Sequence, residues 1–391
     1  MIPIKNIIII NDFNYSQGGA SKVAIDTANM LVEKGFNCIF VSAVSDETKS
    51  TLLNNVIQYR FNGQEFLHYN NKFLGMLNGL KCKKFTRFIE NVLNNYNSKD
   101  TIVHIHGWTK ACSSDFFNVL KKRKYRTFLT LHEYFSFCPN GAYFNYKKGK
   151  ACKKKGCSIE CFFSNCDSRN YTFKLYRYIR QLIYKKDIDF NYVQAIYISE
   201  FSKKIINKQI NIPHYKVIEN PFKALKNVQK KEYDYIYIGR TSKEKGIDIF
   251  IQLAKKMPTK IFLLVGNYNI KLKNLIVTGW VSEAQVDEFL AKSRVLIFPS
   301  LWPETFGLNV IKALSGGIKC VVSSNTAAED YVIDGVNGYI FEQGSLESLE
   351  NAVNKIETIN INNKIECKNK NLYVLNLINE CYLREDDNEI S

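Results

Sequence analysis

Between Pro299 and Gly317 the chain reads PSLWPETFGLNVIKALSGG, a stretch whose residue types suit the binding of an anion. The apolar, β-branched run Val295–Phe298 predicts a buried parallel strand. A loop carrying Glu304 follows, then a helical pattern through Leu308, Val310, Ile311 and Leu314, closed by Gly316-Gly317. Strand, loop and helix start in that order gather unpaired N–H groups and a positive dipole end, which can hold a phosphate. Glu304 could accept hydrogen bonds from hydroxyls attached to that phosphate. A second such unit lies upstream: strand Tyr235–Ile238, then Gly239-Arg240, then Lys245-Gly246 at the mouth of a helix over Ile247–Lys256. Arg240 and Lys245 straddle a helix N-terminus, as a diphosphate requires. In the first half, strands over Ile102–Ile105 and Thr127–Leu131 run out into His106 and His132-Glu133. Ligands of open α/β sheets collect at the carboxyl ends of strands, so both histidines are expected to face a cleft.

The elements that must position these groups alternate strand and helix along the chain. Strand Ile7–Ile10 passes through Gly18-Gly19 into a helix with Val23, Ala24, Ala28 and Leu31 on one face, closed by Gly35, and strand Cys38–Val41 follows. Such a β–Gly-Gly–α opening lets backbone approach a ligand closely. A strand over Val56–Phe61 and a helix over Phe85–Tyr96 precede the histidine strands. Five of the eleven cysteines fall at Cys138, Cys152, Cys157, Cys161 and Cys166. A structural zinc on Cys152, Cys157, Cys161 and Cys166 is one expectation, and reduced packing thiols are the other. Residues 171–190 are amphipathic, aromatic and basic, suited to packing over a cleft or resting on a membrane interface. Strand Tyr192–Ile198 ends the first alternation, and Val217–Asn220 makes a short strand stopped by Pro221. The polar run 223–232 reads as a linker. The second alternation adds strands Ile261–Val265, Leu275–Thr278 and Cys320–Ser323 and helices Glu283–Lys292 and Leu346–Ile356, and an acidic tail ends the sequence. These boundaries predict two doubly wound α/β domains, 1–222 with a cysteine-rich insertion at 138–166, and 223–391.

The 391 residues carry a formal net charge of +17. The surplus is uneven: residues 1–190 hold 29 basic and 14 acidic side chains (+15), and 191–391 hold 25 and 23 (+2). Lys121–Arg126 and Lys147–Lys155 concentrate it. An anionic membrane surface or an anionic substrate would answer that charge. No helix-turn-helix, zinc-finger or RNP pattern supports a nucleic-acid partner. With no apolar run of about 18 residues nothing is expected to span a bilayer, and the Ile-rich start reads as a strand instead of a signal peptide. The expected location is cytoplasmic, with peripheral contact at the inner face of the cell membrane.

Pro299, Ser300, Glu304, Phe306, Gly307 and Leu308 together resemble the donor-site signature of the retaining GT-B glycosyltransferases of family four, the glycosyl transferases group 1. The Gly-Arg-x4-Lys-Gly run at 239–246 resembles the phosphate-binding motif of that family. Thr130-Leu131-His132 resembles its active-site histidine segment, and His104/His106 its His-x-His. The resemblance implies a GT-B fold: two facing Rossmann-like domains, with Leu372–Tyr382 crossing back onto the first. It also implies retaining transfer of a sugar from a nucleotide-diphosphate sugar to a glycan or lipid-linked glycan, as in bacterial surface polysaccharide synthesis. Catalysis would need no metal cofactor, in keeping with the lack of an Asp-x-Asp motif at a strand end. His132 and Glu304 would be catalytic. Gly19, Arg240, Lys245, Phe306, Gly307, Leu308 and Lys312 would contact the donor, and Gly18 and His106 the acceptor. One departure is plain: the second glutamate of the family signature falls at position 312, which here is Lys. A third cation beside the donor phosphates is one expectation for it, and a lesion in a non-catalytic sugar-nucleotide-binding subunit is another. A different GT-B enzyme, such as a nucleotide-sugar epimerase, is the remaining alternative.

Overall fold

The computed structural model describes residues 3–225, 229–358 and 370–383. Its first sheet contains β1 (Asn6–Phe13), β2 (Asn37–Val44), β3 (Ile57–Arg60), β4 (Thr101–Ile105) and β5 (Arg126–Leu131). A small hairpin, β6 (Phe144–Asn145) and β7 (Lys150–Ala151), stands apart from it, and β8 (Gln194–Tyr197) and β9 (Tyr215–Val217) complete it. The spatial order is β3-β2-β1-β4-β5-β8-β9, every pairing parallel. Alternation along β1 explains why both faces are buried. Ile8 and Ile10 fill one core and Ile7 and Ile9 the other, and each strand needs helices on both sides.

The second sheet comprises β10 (Tyr233–Ile238), β11 (Phe262–Val265), β12 (Leu275–Val277), β13 (Ser293–Phe298), β14 (Lys319–Ser323) and β15 (Gly338–Phe341). Its order is β12-β11-β10-β13-β14-β15, again parallel throughout. In each sheet the strand order reverses beside the first strand of the unit, between β1 and β4 and between β10 and β13. A crevice opens at such a switch point, at the carboxyl ends of the strands. The histidines leave β4 and β5, and Arg240 and Glu304 follow β10 and β13, so both sets of candidate residues arrive at crevices.

One expectation needs revision. The run 223–232 is not a free linker in its described part. Leu225 packs in the second core and its N–H donates to Ser315 Oγ (3.1 Å), while Glu232 N–H donates to Lys292 O (2.8 Å). The backbone of this polar stretch is therefore paired, and residues 226–228 lie outside the described residues. The acidic tail likewise lies outside them. The C-terminal crossing is as expected: Tyr373, Val374, Leu377, Cys381 and Tyr382 join the core beneath β1, and Arg126 donates to the carbonyls of Cys381 (2.6 Å) and Tyr382 (3.0 Å). Among the described residues no helix is long and apolar enough to cross a membrane.

Candidate active site

The second-domain half of the site is built by two loops that lock together. Gly246 adopts φ +73°, and a Cβ there would lie 1.8 Å from the carbonyl oxygen of Pro299. Only glycine allows the turn before helix Ile247–Lys256 to sit directly on the loop after β13. Leu301 N–H donates to Glu244 O (2.8 Å) and fixes the register of the two loops. Lys245 Nζ thereby meets both carboxylate oxygens of Glu304, at 2.8 and 2.6 Å. Trp302 Nε1–H (2.8 Å) and Ser300 Oγ (3.2 Å) donate to the same carboxylate, and Lys245 Nζ stands 4.8 Å from the centre of the Trp302 ring. Glu304 is only 8% exposed, so this pairing is what permits its charge to be buried. Arg240 is its opposite. Its side chain is 68% exposed and 3.8 Å from Glu244, a surface cation available to an incoming anion.

The first-domain half is a row of imidazoles. His104 Nδ1 bonds the Tyr382 hydroxyl (2.6 Å) and its Nε2 bonds Thr130 Oγ1 (2.7 Å). His106 Nδ1 bonds His132 Nε2 (3.0 Å), the rings stacked at 5.2 Å. Burial pulls His104 and His132 down to about 3 and His106 well below the ordinary imidazole value, neighbouring histidines adding to the effect at His104 and His106. All three rings are neutral at physiological pH, and His132, half-buried at the end of the row, can accept or donate one hydrogen bond without carrying charge. A cleft of about 330 Å³ opens over it, lined by Ala20, His106, Thr109, His132, Glu133 and Phe135 among others.

The halves meet at the Glu304 loop. Thr305 Oγ1–H donates to His132 O (2.8 Å), Tyr134 OH to Pro303 O (2.8 Å) and Ser199 Oγ–H to Thr305 O (2.7 Å). Residues 303–305 thus rest against the end of β5.

Other expected residues fall as follows. Gly18 has φ +115° and precedes the helix Gly19–Glu33; at neither glycine would a Cβ meet an atom within 4 Å, so the turn is open toward solvent, with Ala20 in the cleft wall. Phe306 is a packing residue, joined to Ile198 and Ile311 with Leu308 against them. Gly307 caps the helix Leu308–Ser315, and a Cβ there would come within 2.8 Å of Ala328 Cβ.

Lys312 is not in the first turn of that eight-residue helix but in its last. Its side chain is 7% exposed and paired with Asp287 and, at 3.5 Å, with Glu283, both on the helix Glu283–Ala291. Glu283 in turn reaches Lys22 of the first domain at 2.6 Å. Lys312 thus answers two carboxylates of the neighbouring helix. Among the described residues no three His, Cys, Asp or Glu side chains form a group able to hold a metal ion. Burial pushes Cys157 and Cys166 up to about 11, keeping both as thiols. Cys152, Cys157, Cys161 and Cys166 are free packing cysteines in this arrangement.

Two residues not singled out from sequence belong to the site. Glu133 follows His132 into the cleft, accepts from Thr109 Oγ1 (3.3 Å), and has its carboxyl raised by burial against the pull of Lys110 and Arg240. Asp12, at the end of β1, accepts from the backbone N–H of Lys110 (3.1 Å), Ala111 (2.7 Å) and Cys112 (3.2 Å) and so shapes the loop after His106. A carboxylate at the carboxyl end of a parallel strand was the available signal for both.

Comparison with known proteins agrees with this geometry. Residues 219–371 match the family model of the glycosyl transferases group 1. Over 250 residues, 59% of this chain and 70% of the relative, the sequence is 25% identical to an uncharacterized 41.2 kDa protein in the cps region of Klebsiella pneumoniae. Over 174 residues, 39% of this chain and 44% of the relative, it is 26% identical to the Escherichia coli UDP-Gal:alpha-D-GlcNAc-diphosphoundecaprenol alpha-1,3-galactosyltransferase. Among solved structures, sucrose-phosphate synthase from Thermosynechococcus elongatus superposes with a TM-score of 0.64 over 90% of both chains at 15% identity. Residues 219–371 are therefore similar to the glycosyl transferases group 1, and the chain has a GT-B fold of two Rossmann-like units.

Proposed function

We propose that this protein is a glycosyltransferase that moves a sugar, with retention of configuration, from a nucleotide-diphosphate sugar to a glycan or lipid-linked glycan in surface polysaccharide synthesis. The observation that carries the reading is the Lys245–Glu304 pair, held by Trp302 and Ser300 at a helix mouth and pressed against the His132 strand. In the loaded site Lys245 turns to the donor diphosphate, joined by exposed Arg240. Glu304, released from its cation, accepts hydrogen bonds from the sugar hydroxyls. The bond from the anomeric carbon to the diphosphate oxygen breaks, the bond to the acceptor oxygen forms, and the acceptor proton leaves with the diphosphate or to solvent. Fixed cations and helix N-termini meet the leaving charge, so no metal is required in this scheme. Neutral His132 adds no positive charge beside the reacting carbon and can orient a hydroxyl there. The first-domain cleft, with Glu133 and His106, takes the acceptor.

A relative that uses UDP-galactose and a diphosphoundecaprenol acceptor supports the substrate classes, and a relative in a cps region supports the process. The basic surplus of residues 1–190 supports work at the inner face of an anionic membrane. A thermal-shift screen against UDP-, GDP-, ADP- and dTDP-sugars tests the donor claim: one series should raise the melting temperature, and no response to any of the four would refute it. Anomeric analysis of the product then decides retention.

A further inference from the structure

His106 and His132 stand nitrogen to nitrogen, with His106 Nδ1 3.0 Å from His132 Nε2. Both rings are held. The His106 ring centre lies 4.2 Å from that of His104 and 5.2 Å from that of His132, and its backbone N–H donates to Ile10 O (3.0 Å). His104 is itself pinned by the Tyr382 hydroxyl and Thr130 Oγ1. Gly107 keeps the chain after His106 close to β1, since a Cβ there would lie 2.5 Å from Asn11 Oδ1. His132 is tied from the second domain as well, its carbonyl accepting from Thr305 Oγ1–H (2.8 Å).

Burial keeps both imidazoles neutral, and two neutral rings in this contact share one proton between them. With none, two lone pairs would face each other; with two, hydrogen would meet hydrogen. Two arrangements remain, and each decides what His132 offers the cleft through Nδ1, which makes no hydrogen bond among the described residues. His106 Nε2 selects between them. It is buried and has no hydrogen-bond partner among the described residues. A proton there would be a buried N–H without an acceptor, the rarer fault in folded proteins; a bare nitrogen is the milder one. We propose that His106 carries its proton on Nδ1 and donates it to His132 Nε2, a positioning residue that fixes His132 as an Nδ1–H donor. On the glycosyltransferase reading, on which this rests, His132 offers that N–H to an oxygen of the substrate. It cannot take up the acceptor proton, because its bare nitrogen is already bonded to His106. His106 in turn acts through its neighbour, one ring nitrogen being used and the other covered.

The chain has five histidines, so long-range proton–nitrogen NMR of full-length protein carrying isotope-labelled histidine can read each tautomer, with His132→Gln assigning the key signal. At neutral pH His106 and His132 should both show a protonated Nδ1 and a bare Nε2, the reverse of the tautomer favoured in water. His106→Phe keeps a ring and removes both nitrogens. In it the His132 proton should return to Nε2, and with the donor found in the screen kcat should fall about tenfold while KM changes less than about twofold. His106→Asn, whose amide can donate from a similar position, should restore the Nδ1–H signal and most of kcat. A parent in which His132 is protonated on Nε2 would overturn the inference, and this spectrum needs no variant to fold. An unchanged His132 tautomer in a His106→Phe protein that melts like the parent would overturn it too. The expected tautomers in a chain that binds no nucleotide sugar would instead refute the glycosyltransferase reading and leave the pairing standing.

Discussion

Replacing Glu304 by Gln keeps the side chain's size and removes its charge. In the unliganded protein Lys245 Nζ sits 2.8 and 2.6 Å from the two carboxylate oxygens. At such a separation and an effective dielectric near 20, the attraction is about 6 kcal/mol before desolvation. Much of that is offset by burial of the two charges, whose side chains are 18% and 11% exposed. A donor diphosphate must draw Lys245 away from this partner. In Glu304→Gln the competition falls, and a nucleoside diphosphate should bind about tenfold more tightly, about 1.4 kcal/mol. Stability should drop by roughly 1–3 kcal/mol, because a part-exposed ammonium loses its counter-ion. Transfer should slow at least tenfold, since the sugar hydroxyls lose a charged acceptor, with each such bond worth about 1.5–3 kcal/mol. Calorimetry with UDP or the diphosphate selected in the screen, a urea melt and a steady-state assay measure the three effects. A variant that melts cooperatively yet binds the diphosphate no more tightly than the parent would show that Lys245 does not exchange partners.

Arg240→Ala should lower donor affinity about tenfold with an unchanged melting temperature, because the side chain is exposed and only loosely paired; an unchanged dissociation constant in calorimetry would place the phosphate elsewhere. Lys312→Glu would put a third carboxylate beside Asp287 and Glu283 at a buried position, so urea melts should show a loss of about 3 kcal/mol or more. A variant as stable as the parent would contradict the pairing. Acid should unfold the protein early. His104 and His132, held near pH 3 when folded, take up protons on unfolding once pH falls below about 6.5, so stability is full above that value and drains beneath it. At pH 5 each costs about 2 kcal/mol, and His104→Gln should shrink the loss between pH 7.5 and 5 by that amount; an equal loss would show that His104 protonates readily in the folded state.

The second-domain half of the candidate site was legible because its grammar is local. Strand, glycine turn, cation and helix fall within about a dozen residues, and helices Ile247–Lys256 and Leu346–Ile356 form where their periodicity predicts. His106 and His132 were legible for a similar reason, as polar residues ending two apolar strands. What distance hides was misread. Lys312 finds its carboxylates on another helix, and no local pattern announces Glu283 and Asp287 as partners. Residues 223–232 look like a linker by composition, yet their amides are claimed by the far ends of a helix and a loop. Strand β15 escaped notice since Gly338–Phe341 is four residues long and follows a turn-rich run.

The crossing segment has a consequence for how the molecule is made. Tyr382 supplies the hydroxyl on His104, and Tyr373 bonds Thr27 Oγ1 at 2.9 Å, so the first domain's core is completed by residues that follow the whole second sheet in the sequence. While the nascent chain holds only the first sheet, the face beneath β1 lacks Val374, Leu377, Ile378 and Tyr382 and stays open to water and to chaperones. The histidine row then lacks the Tyr382 hydroxyl on His104. The first core is complete only once the second domain has been made.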